Sequence, residues 1–556
     1  MTGGHNIAAH LPRIAETHPD TLSVAVQHAG RGDAVTYEEW TLAQLDRESN
    51  RIASGLLAIG LERGMRVVLM VTPSLDFFAL TFGLFKLGAV PVMVDPGMGV
   101  RNLRTCIDEA QPQAFIGIPK AHVARLLFGW GKKTARIKVT VGRKLFWGGT
   151  TIEKVRSKGS ETFETAAVEP EETAAILFTS GNTGVPKGAV YSHAIFNAQV
   201  NSLREDYGIE PGERDLATFP LFALFGPALG MAAIVPDMDA SRPITADPAR
   251  LVAAAQKYEA TNVFASPALL DKLGRHCETK GVTLPHVRRV ISAGAPAEPP
   301  SLRRFATVLN DGVEVIPSYG ATEALPIANI GSRELLEETA ALTEQGRGVC
   351  VGRPCKGITV RVIHITDTPI AEWSNDIVCE PGEIGEICVS GPVVTRAYFE
   401  RPDATRLAKI PDAAGATFYH RMGDVGYLDE QGRLWMCGRK SHRVMTPNGT
   451  LFTVPCERIL NTHPKVRRTA LVGVTVDGVT EPLVCVELDR GEGSVDEKSV
   501  IKDLRELAAS NEVTKPLHRF LVHPKFPVDI RHNAKIHAEK LAEWAQQRVA
   551  SSGETA

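Results

Sequence analysis

Residues 179–188 read TSGNTGVPKG, a string whose residue types suit the holding of a polyphosphate. Gly181, Gly184 and Gly188 allow backbone N–H groups to turn toward a ligand and approach it closely. The hydroxyls of Thr179, Ser180 and Thr183 and the amide of Asn182 add donors, and Lys187 adds a point charge. The nucleotide-loop pattern G-x-x-x-x-G-K-[ST] is not met, because Pro186 stands five residues after Gly181 and Gly188 follows Lys187. The string therefore belongs to a different phosphate chemistry, and its length and patterning set it apart from an ordinary Gly/Ser/Thr turn.

Four further stretches gain meaning beside such a loop. In YGATE (319–323), a purine could stack on Tyr319 and Glu323 could hold Mg²⁺, which prefers carboxylate oxygens shared with phosphates. Taken alone, the same five residues would serve equally as a surface loop. HRMGD (420–424) puts Asp424 after a glycine at an expected strand start, where a carboxylate could accept two ribose hydroxyls or merely form an Asx turn. Arg439 follows Gly438 where the texture of the chain changes, and could reach a sugar or phosphate. Lys535, in PVDIRHNAKI, would by itself be one solvated lysine among many.

These residues need elements to hold them. Residues 174–178, AAILF, read as a buried strand, and 192–207 have the apolar spacing of a helix. Helical spacing also runs through 36–60, ending at Gly60. All-apolar runs at 67–71 and 90–94 flank a helix-like 75–87, which predicts a parallel crossover with both sheet faces covered. The pattern recurs at 260–266, 267–277 and 289–292. From about Gly382, short alternating segments broken by glycine predict antiparallel hairpins. The expected fold class is α/β, with a large N-terminal domain (1–438) of mostly parallel α/β layers and an antiparallel β subdomain. A small mobile α+β C-terminal domain (439–556) carries Lys535 as a lid.

The totals exclude several classes. With 556 residues and a net charge of −2, the chain offers no overall electrostatic case for nucleic acid or an anionic membrane surface. The nine cysteines form no C-x-x-C pair and suit reduced thiols in a cytoplasm, as core fillers rather than a disulfide or zinc framework. MTGGHNIAAH lacks the basic and apolar regions of a secretory leader. Uncharged 219–235 is interrupted by Pro220, Gly226, Pro227 and Gly230 and is read as buried wall rather than a transmembrane segment.

In order, TSGNTGVPKG, YGATE, HRMGD, GR and a near-terminal NAK resemble the adenylate-forming superfamily of acyl-CoA synthetases, luciferases and peptide-synthetase adenylation domains. KLGAVPVMVDP (86–96), SAGAP (292–296) and GEIGEICVSGP (382–392) extend the resemblance over nearly the whole chain. It implies ATP and Mg²⁺, attack of a carboxylate on the α-phosphate, release of pyrophosphate and an acyl-adenylate. It also implies roles: the 179–188 loop on the β- and γ-phosphates, Gly294 and Ala295 with Tyr319 and Gly320 around adenine, and Thr322 on the α-phosphate. Glu323 would hold Mg²⁺, and Asp424 and Arg439 the ribose end. Lys535 would meet the carboxylate and α-phosphate once the small domain closes.

Departures from the common pattern bear on the acceptor. Asn182 stands for a threonine, Met422 for the threonine before GD, and Ala534 for a glycine. Ser441 occupies a hinge position usually Asp or Lys, and Ala223 replaces a histidine frequent in ligases that use coenzyme A. FPLFALFGPALGM, PDMDASRP, VMTPNGTLFTVPCERI and PVDIRHNAKI resemble the β-lactone synthetases of bacterial long-chain olefin biosynthesis. That likeness implies adenylation of a 2-alkyl-3-hydroxy fatty acid and displacement of AMP by its own 3-hydroxyl. It also implies association with an upstream reductase and a downstream lactone decarboxylase. A base for the hydroxyl is not legible, His193, His442 and His532 being open between structural and catalytic roles. The competing readings are a long-chain acyl-CoA or acyl-AMP ligase, and a nucleotide-binding protein without catalysis. The second sits poorly with Glu323, Asp424, Arg439 and Lys535 occurring together.

Overall fold

The computed structural model describes residues 4–30, 34–179, 186–415, 417–489, 495–528 and 536–552. Ser180, Gly181, Asn182, Thr183, Gly184, His532 and Lys535 lie outside the described residues.

Two large sheets enclose a helical layer. The seven-stranded sheet runs Thr150–Thr151, Ile137–Thr140, Ala114–Gly117, Arg66–Met70, Val90–Val94, Thr173–Thr179, Lys187–Ser192. All its pairings are parallel except the last. The helix Leu75–Leu87 joins two of these strands and is buried at every residue from 77 to 87, as expected of a helix apolar on all sides. The Ser74 hydroxyl caps its start by accepting the Phe77 N–H, and Gly88 ends it at φ +73°, a left-handed conformation that favours glycine. The helix touches strands of both sheets and shares their core cluster. Within this layer the Lys86 ammonium is buried against Asp46 and Asn50, each at 2.6 Å.

The fourteen-stranded sheet changes character midway. From Leu22–Ala29 to Val315–Ala321 its strands are parallel; from Ala324–Asn329 to Thr359–Ile363 they are antiparallel. YGATE lies at this change of direction, with Tyr319 and Gly320 in the last parallel strand and Thr322 and Glu323 in the turn to the first antiparallel one. Beyond the Lys440–His442 turn, the chain builds a three-stranded sheet of Val466–Val476, Val479–Leu488 and Arg519–Val522. Its two faces bury separate clusters: Leu471, Val484 and Val486 with helices Thr453–Leu460 and Glu497–Ala509, and Val472, Val474 and Cys485 with Ala538–Ser552. The period-two alternation of a strand covered on both sides produces this division.

Three local expectations are corrected. The segment read as helix from 36 begins as the strand Val35–Thr41, and the helix is Leu42–Ala58, opened by a Thr41/Gln44 capping box. The phosphate-type loop does not lead into a helix. The next described element is the strand Lys187–Ser192, which pairs antiparallel with Thr173–Thr179 before the helix His193–Tyr207 begins. Asp424 is interior to the strand Phe418–Leu428 rather than at a strand start. No helix among the described residues is long and apolar enough to cross a membrane.

Candidate active site

The strand ends converge on a cavity of about 2270 Å³, whose lining includes Lys187, Gly294, Ala295, Tyr319, Gly320, Thr322, Glu323, Asp424 and Arg439. Ligands of open α/β sheets collect outside the carboxyl ends of parallel strands where the topology changes, and the cavity occupies such a place. Thr179 ends its strand opposite Lys187.

Asp424 and Arg439 are register partners on adjacent strands, which brings Arg439 Nη1 to 3.0 Å from Asp424 Oδ1. The Tyr319 hydroxyl donates to Asp424 Oδ2 at 2.7 Å, so two donors fix this nearly buried carboxylate. Burial, and then the Asp424 charge, push the Tyr319 hydroxyl well above the usual phenol range, while Asp424 is the main cause raising Arg439. Tyr319 thus presents its ring to the cavity and its hydroxyl to the carboxylate. At Gly320 an added Cβ would lie 2.7 Å from Leu325 and 2.8 Å from the Ala324 carbonyl, so the close turn before Thr322 requires glycine.

Glu323 is held from a direction its own motif does not announce. The Tyr398 hydroxyl donates to its Oε1 at 2.8 Å, the Thr395 N–H donates to its carbonyl at 2.8 Å, and Lys187 Nζ lies 5.1 Å above the Tyr398 ring. Beneath them Lys409 is buried and donates to Thr395, at 3.4 Å to the hydroxyl and also to the carbonyl. Desolvation pushes Lys409 down to about 7, against the pull of Glu323. His420 is kept neutral, first by burial and then by the Lys409 charge.

Tyr398 and Lys409 belong to no motif named above. Tyr398 arrives through an isolated bridge to Ala189, and Lys409 through the pairing of Lys409–Pro411 with Phe418–Leu428. Arg421 was also not singled out. Its buried guanidinium donates to Glu386 at 3.0 and 2.6 Å and to the carbonyls of Thr368 and Leu407 at 2.8 and 3.1 Å, fixing the strand that carries Asp424.

Of the histidines, His193 is buried, and its Nδ1 accepts the Ile7 N–H at 3.2 Å. Burial pulls it down to about 4, so it is a neutral packing residue near neutral pH. His442 Nε2 contacts Glu539 at 3.1 Å within the small unit. Ala223 is buried, and Met422 packs with Ile387 and Leu434 in place of a polar contact. Eight cysteines are buried; Cys379 is partly exposed beside His364 and Glu383, a group of metal-type ligands that does not line the cavity.

Away from the polar groups the cavity wall is aromatic. Tyr191 and Phe196 lie 4.9 Å apart between ring centroids, Phe196 and Phe225 6.2 Å, and Phe222 and Phe264 4.0 Å. Residues 219–235 thus supply part of this wall, as two short helices and the strand Ala232–Val235.

The profile of the AMP-binding enzyme family matches residues 11–399. The chain is 51% identical over 553 residues to the olefin β-lactone synthetase of Stenotrophomonas maltophilia strain K279a, covering 98% of each chain. It is 48% identical over 559 residues to the olefin β-lactone synthetase of Xanthomonas campestris pv. campestris, covering 99% of each. Among solved structures, the amide bond synthetase McbA of Marinactinospora thermotolerans superposes with a TM-score of 0.78 at 22% identity, over 97% of this chain and 99% of that one. A cavity at the parallel-to-antiparallel switch, the residues gathered there and this extent of identity agree: the chain belongs to the AMP-binding enzyme family, alongside the olefin β-lactone synthetases.

Proposed function

We propose that the chain is an ATP-dependent β-lactone synthetase acting on 2-alkyl-3-hydroxy fatty acids. The observation that carries this reading is near-end-to-end identity to two olefin β-lactone synthetases. The site geometry supports its first half. Tyr319, Gly294 and Ala295 frame an adenine, Asp424 receives the ribose hydroxyls with Arg439 beside it, and Thr322 meets the α-phosphate. Lys187, with the loop from Thr179 to Gly184, takes the β- and γ-phosphates.

The residues around Glu323 suit a divalent cation. Tyr398 occupies one carboxylate oxygen, and no described protein group is hydrogen-bonded to the other, which is the donor type Mg²⁺ prefers. Bound there, Mg²⁺ would neutralise phosphate charge. Tyr398 orients the Glu323 carboxylate, and Lys187 adds positive charge on the same side of the cavity.

The aromatic wall gives two alkyl chains an apolar seat. Holding the 3-hydroxyl near its own activated carboxyl makes ring closure intramolecular. This offsets ring strain with saved association entropy and needs no thiol acceptor. Ala223 fits that reading, and so does His193, which is buried outside the cavity lining with its Nδ1 already accepting the Ile7 N–H. In this reading 439–556 is a lid, and Lys535 enters with it to the carboxylate and α-phosphate. The reactions on either side would be a ketone reduction supplying the 3-hydroxy acid and a decarboxylation consuming the lactone.

Purified protein with MgATP and a 2-alkyl-3-hydroxy acid, with and without coenzyme A, tests the proposal. Lactone, AMP and pyrophosphate are expected without coenzyme A. A thioester formed only in its presence would make the chain an acyl-CoA ligase instead.

A further inference from the structure

The helix Pro119–Phe128 has two unlike faces. Ala121 and Ala124 line the large cavity, as do Ile118 before the helix and Trp130 after it. On the other side Val123, Leu126 and Leu127 are exposed, Leu127 to 73%, and at the helix end Phe128 is partly exposed with its ring 5.7 Å from that of Trp130. The loop after the neighbouring strand Ile137–Thr140 adds Leu145 and Phe146, the latter exposed to 81%. Trp147 in that loop stacks on His122 at 5.4 Å and lies 5.7 Å from the Phe146 ring, which fastens the loop against the helix one turn from Leu126. Both segments leave the carboxyl ends of adjacent parallel strands. The helix runs back from there along the sheet, so the exposed apolar side chains lie along its outer face and on the loop fastened to its first turn, at one corner of the molecule next to the cavity.

The charge of the same corner departs from that of the chain. Residues 110–152 hold eight lysines and arginines and no aspartate or glutamate, in a protein whose total is −2. Arg125 is buried over the Phe115 ring. Lys120 and Arg143 stand just past the carboxyl ends of the two strands, and Lys132, Lys133 and Arg136 at the far end of the helix, before the strand Ile137–Thr140; all five are exposed, and none makes an ion pair with a described residue. Contiguous exposed apolar side chains mark an interaction surface. Protein interfaces are depleted in lysine, whereas apolar side chains ringed by lysine and arginine suit the headgroup region of an anionic bilayer.

We propose that this corner seats the protein on an anionic lipid surface. Leu127, Phe128, Leu145 and Phe146 enter the acyl boundary, and the basic residues meet lipid phosphates. The wall shared by helix Pro119–Phe128 and the cavity then lets a two-chain lipid acid pass from bilayer to active site without crossing water. This last step rests on the substrate proposed above; the binding does not.

The experiment is sedimentation of the full-length protein with phosphatidylcholine vesicles, with and without phosphatidylglycerol. Sedimentation is expected only with phosphatidylglycerol, declining as salt rises. Leu127→Glu/Phe146→Glu and Lys132→Glu/Lys133→Glu should each weaken it by about tenfold or more. Thermal midpoints and pyrophosphate release with a short, soluble 3-hydroxy acid should stay at wild-type values. Protein that remains in the supernatant, equal sedimentation with both vesicle types, or variants that bind like wild type would overturn the proposal. So would a concentration-dependent oligomer dissolved by Leu127→Glu without vesicle binding, which would make the corner a protein interface. A failure of lactone formation would leave the sedimentation result unchanged, so the two proposals fall separately.

Discussion

Tyr319→Phe separates two tasks carried by one side chain. The ring, which faces the cavity beside Gly294 and Ala295, is retained; the hydroxyl that donates to Asp424 Oδ2 at 2.7 Å is lost. Among the described residues Arg439, at 3.0 Å, is then the remaining partner of the Asp424 carboxylate, which can turn about its side-chain bonds. A hydrogen bond to a charged group contributes about 1.5–3 kcal/mol. At about 1.4 kcal/mol per decade, kcat/KM for ATP should therefore fall by roughly 10- to 100-fold. The acid should bind as before, because the hydroxyl is engaged by Asp424 and the ring that lines the cavity is kept. Pyrophosphate release measured against ATP at saturating acid, then against acid at saturating ATP, resolves the two. Tyr319→Leu, which also removes the stacking surface, should lose more than Tyr319→Phe in the first series. If Tyr319→Phe matches wild type against ATP, Asp424 does not depend on Tyr319 for its orientation, and the assignment of Asp424 to the ribose loses its structural basis.

Three further outcomes follow from buried groups. Arg421→Met leaves Glu386 buried without its main partner, and breaking such a pair costs about 3–5 kcal/mol, read as a lowered denaturant midpoint. His193→Leu should lower thermal stability by removing the acceptor for the Ile7 N–H, while turnover per folded molecule stays near wild type; loss of lactone formation with adenylation intact would instead make His193 the base. Burial pushes Asp215 up from 3.8 to about 7, so the folded state keeps a proton that the unfolded state has released between those values. Stability from this group is present below about pH 4, falls as pH rises toward 7 and then levels. Asp215→Asn, which keeps an acceptor for Asn262, should flatten that slope and raise the denaturant midpoint at pH 8 by up to about 4 kcal/mol equivalent.

Elements whose burial is written in their own residues were legible. Leu75–Leu87 and Val90–Val94 match their sequence boundaries because Ser74 and Gly88 punctuate continuous apolar runs. Val35–Thr41 was absorbed into the following helix because its polar and apolar residues, VTYEEWT, also fit helical spacing over a short window. The Thr41/Gln44 box was the signal that divides them. The hairpin strand Lys187–Ser192 was missed because its pairing partner, not its composition, makes it a strand. In the site, Tyr319, Glu323, Asp424 and Arg439 were readable by type and by the order of their motifs. Tyr398, Lys409 and Arg421 were not, since each acts through a partner fixed by tertiary pairing: Glu323, Thr395 and Glu386.

The same pairings locate the pivot of any lid rotation. Arg439 is bound to Asp424 in the large sheet, and Lys440 to buried Glu386 at 3.2 Å and the Thr366 carbonyl at 3.0 Å, where Arg421 also converges. Past Ser441 the ties weaken. Arg443 pairs with Asp367 at 2.7 Å and Arg458 with Glu298 at 2.6 Å, but both carboxylates are more than half exposed, and such pairs are worth about 0–1 kcal/mol each. The Ser441 side chain is exposed and has no hydrogen-bond partner among the described residues. At Gly438, with φ +131°, an added Cβ would lie 2.5 Å from the Thr453 hydroxyl, so the approach of the helix Thr453–Leu460 to this strand requires glycine. In the lid rotation proposed above, the exposed pairs would give way before the buried Arg421–Glu386–Lys440 anchor. Such a rotation would turn the chain at Ser441, where no charge would have to be released.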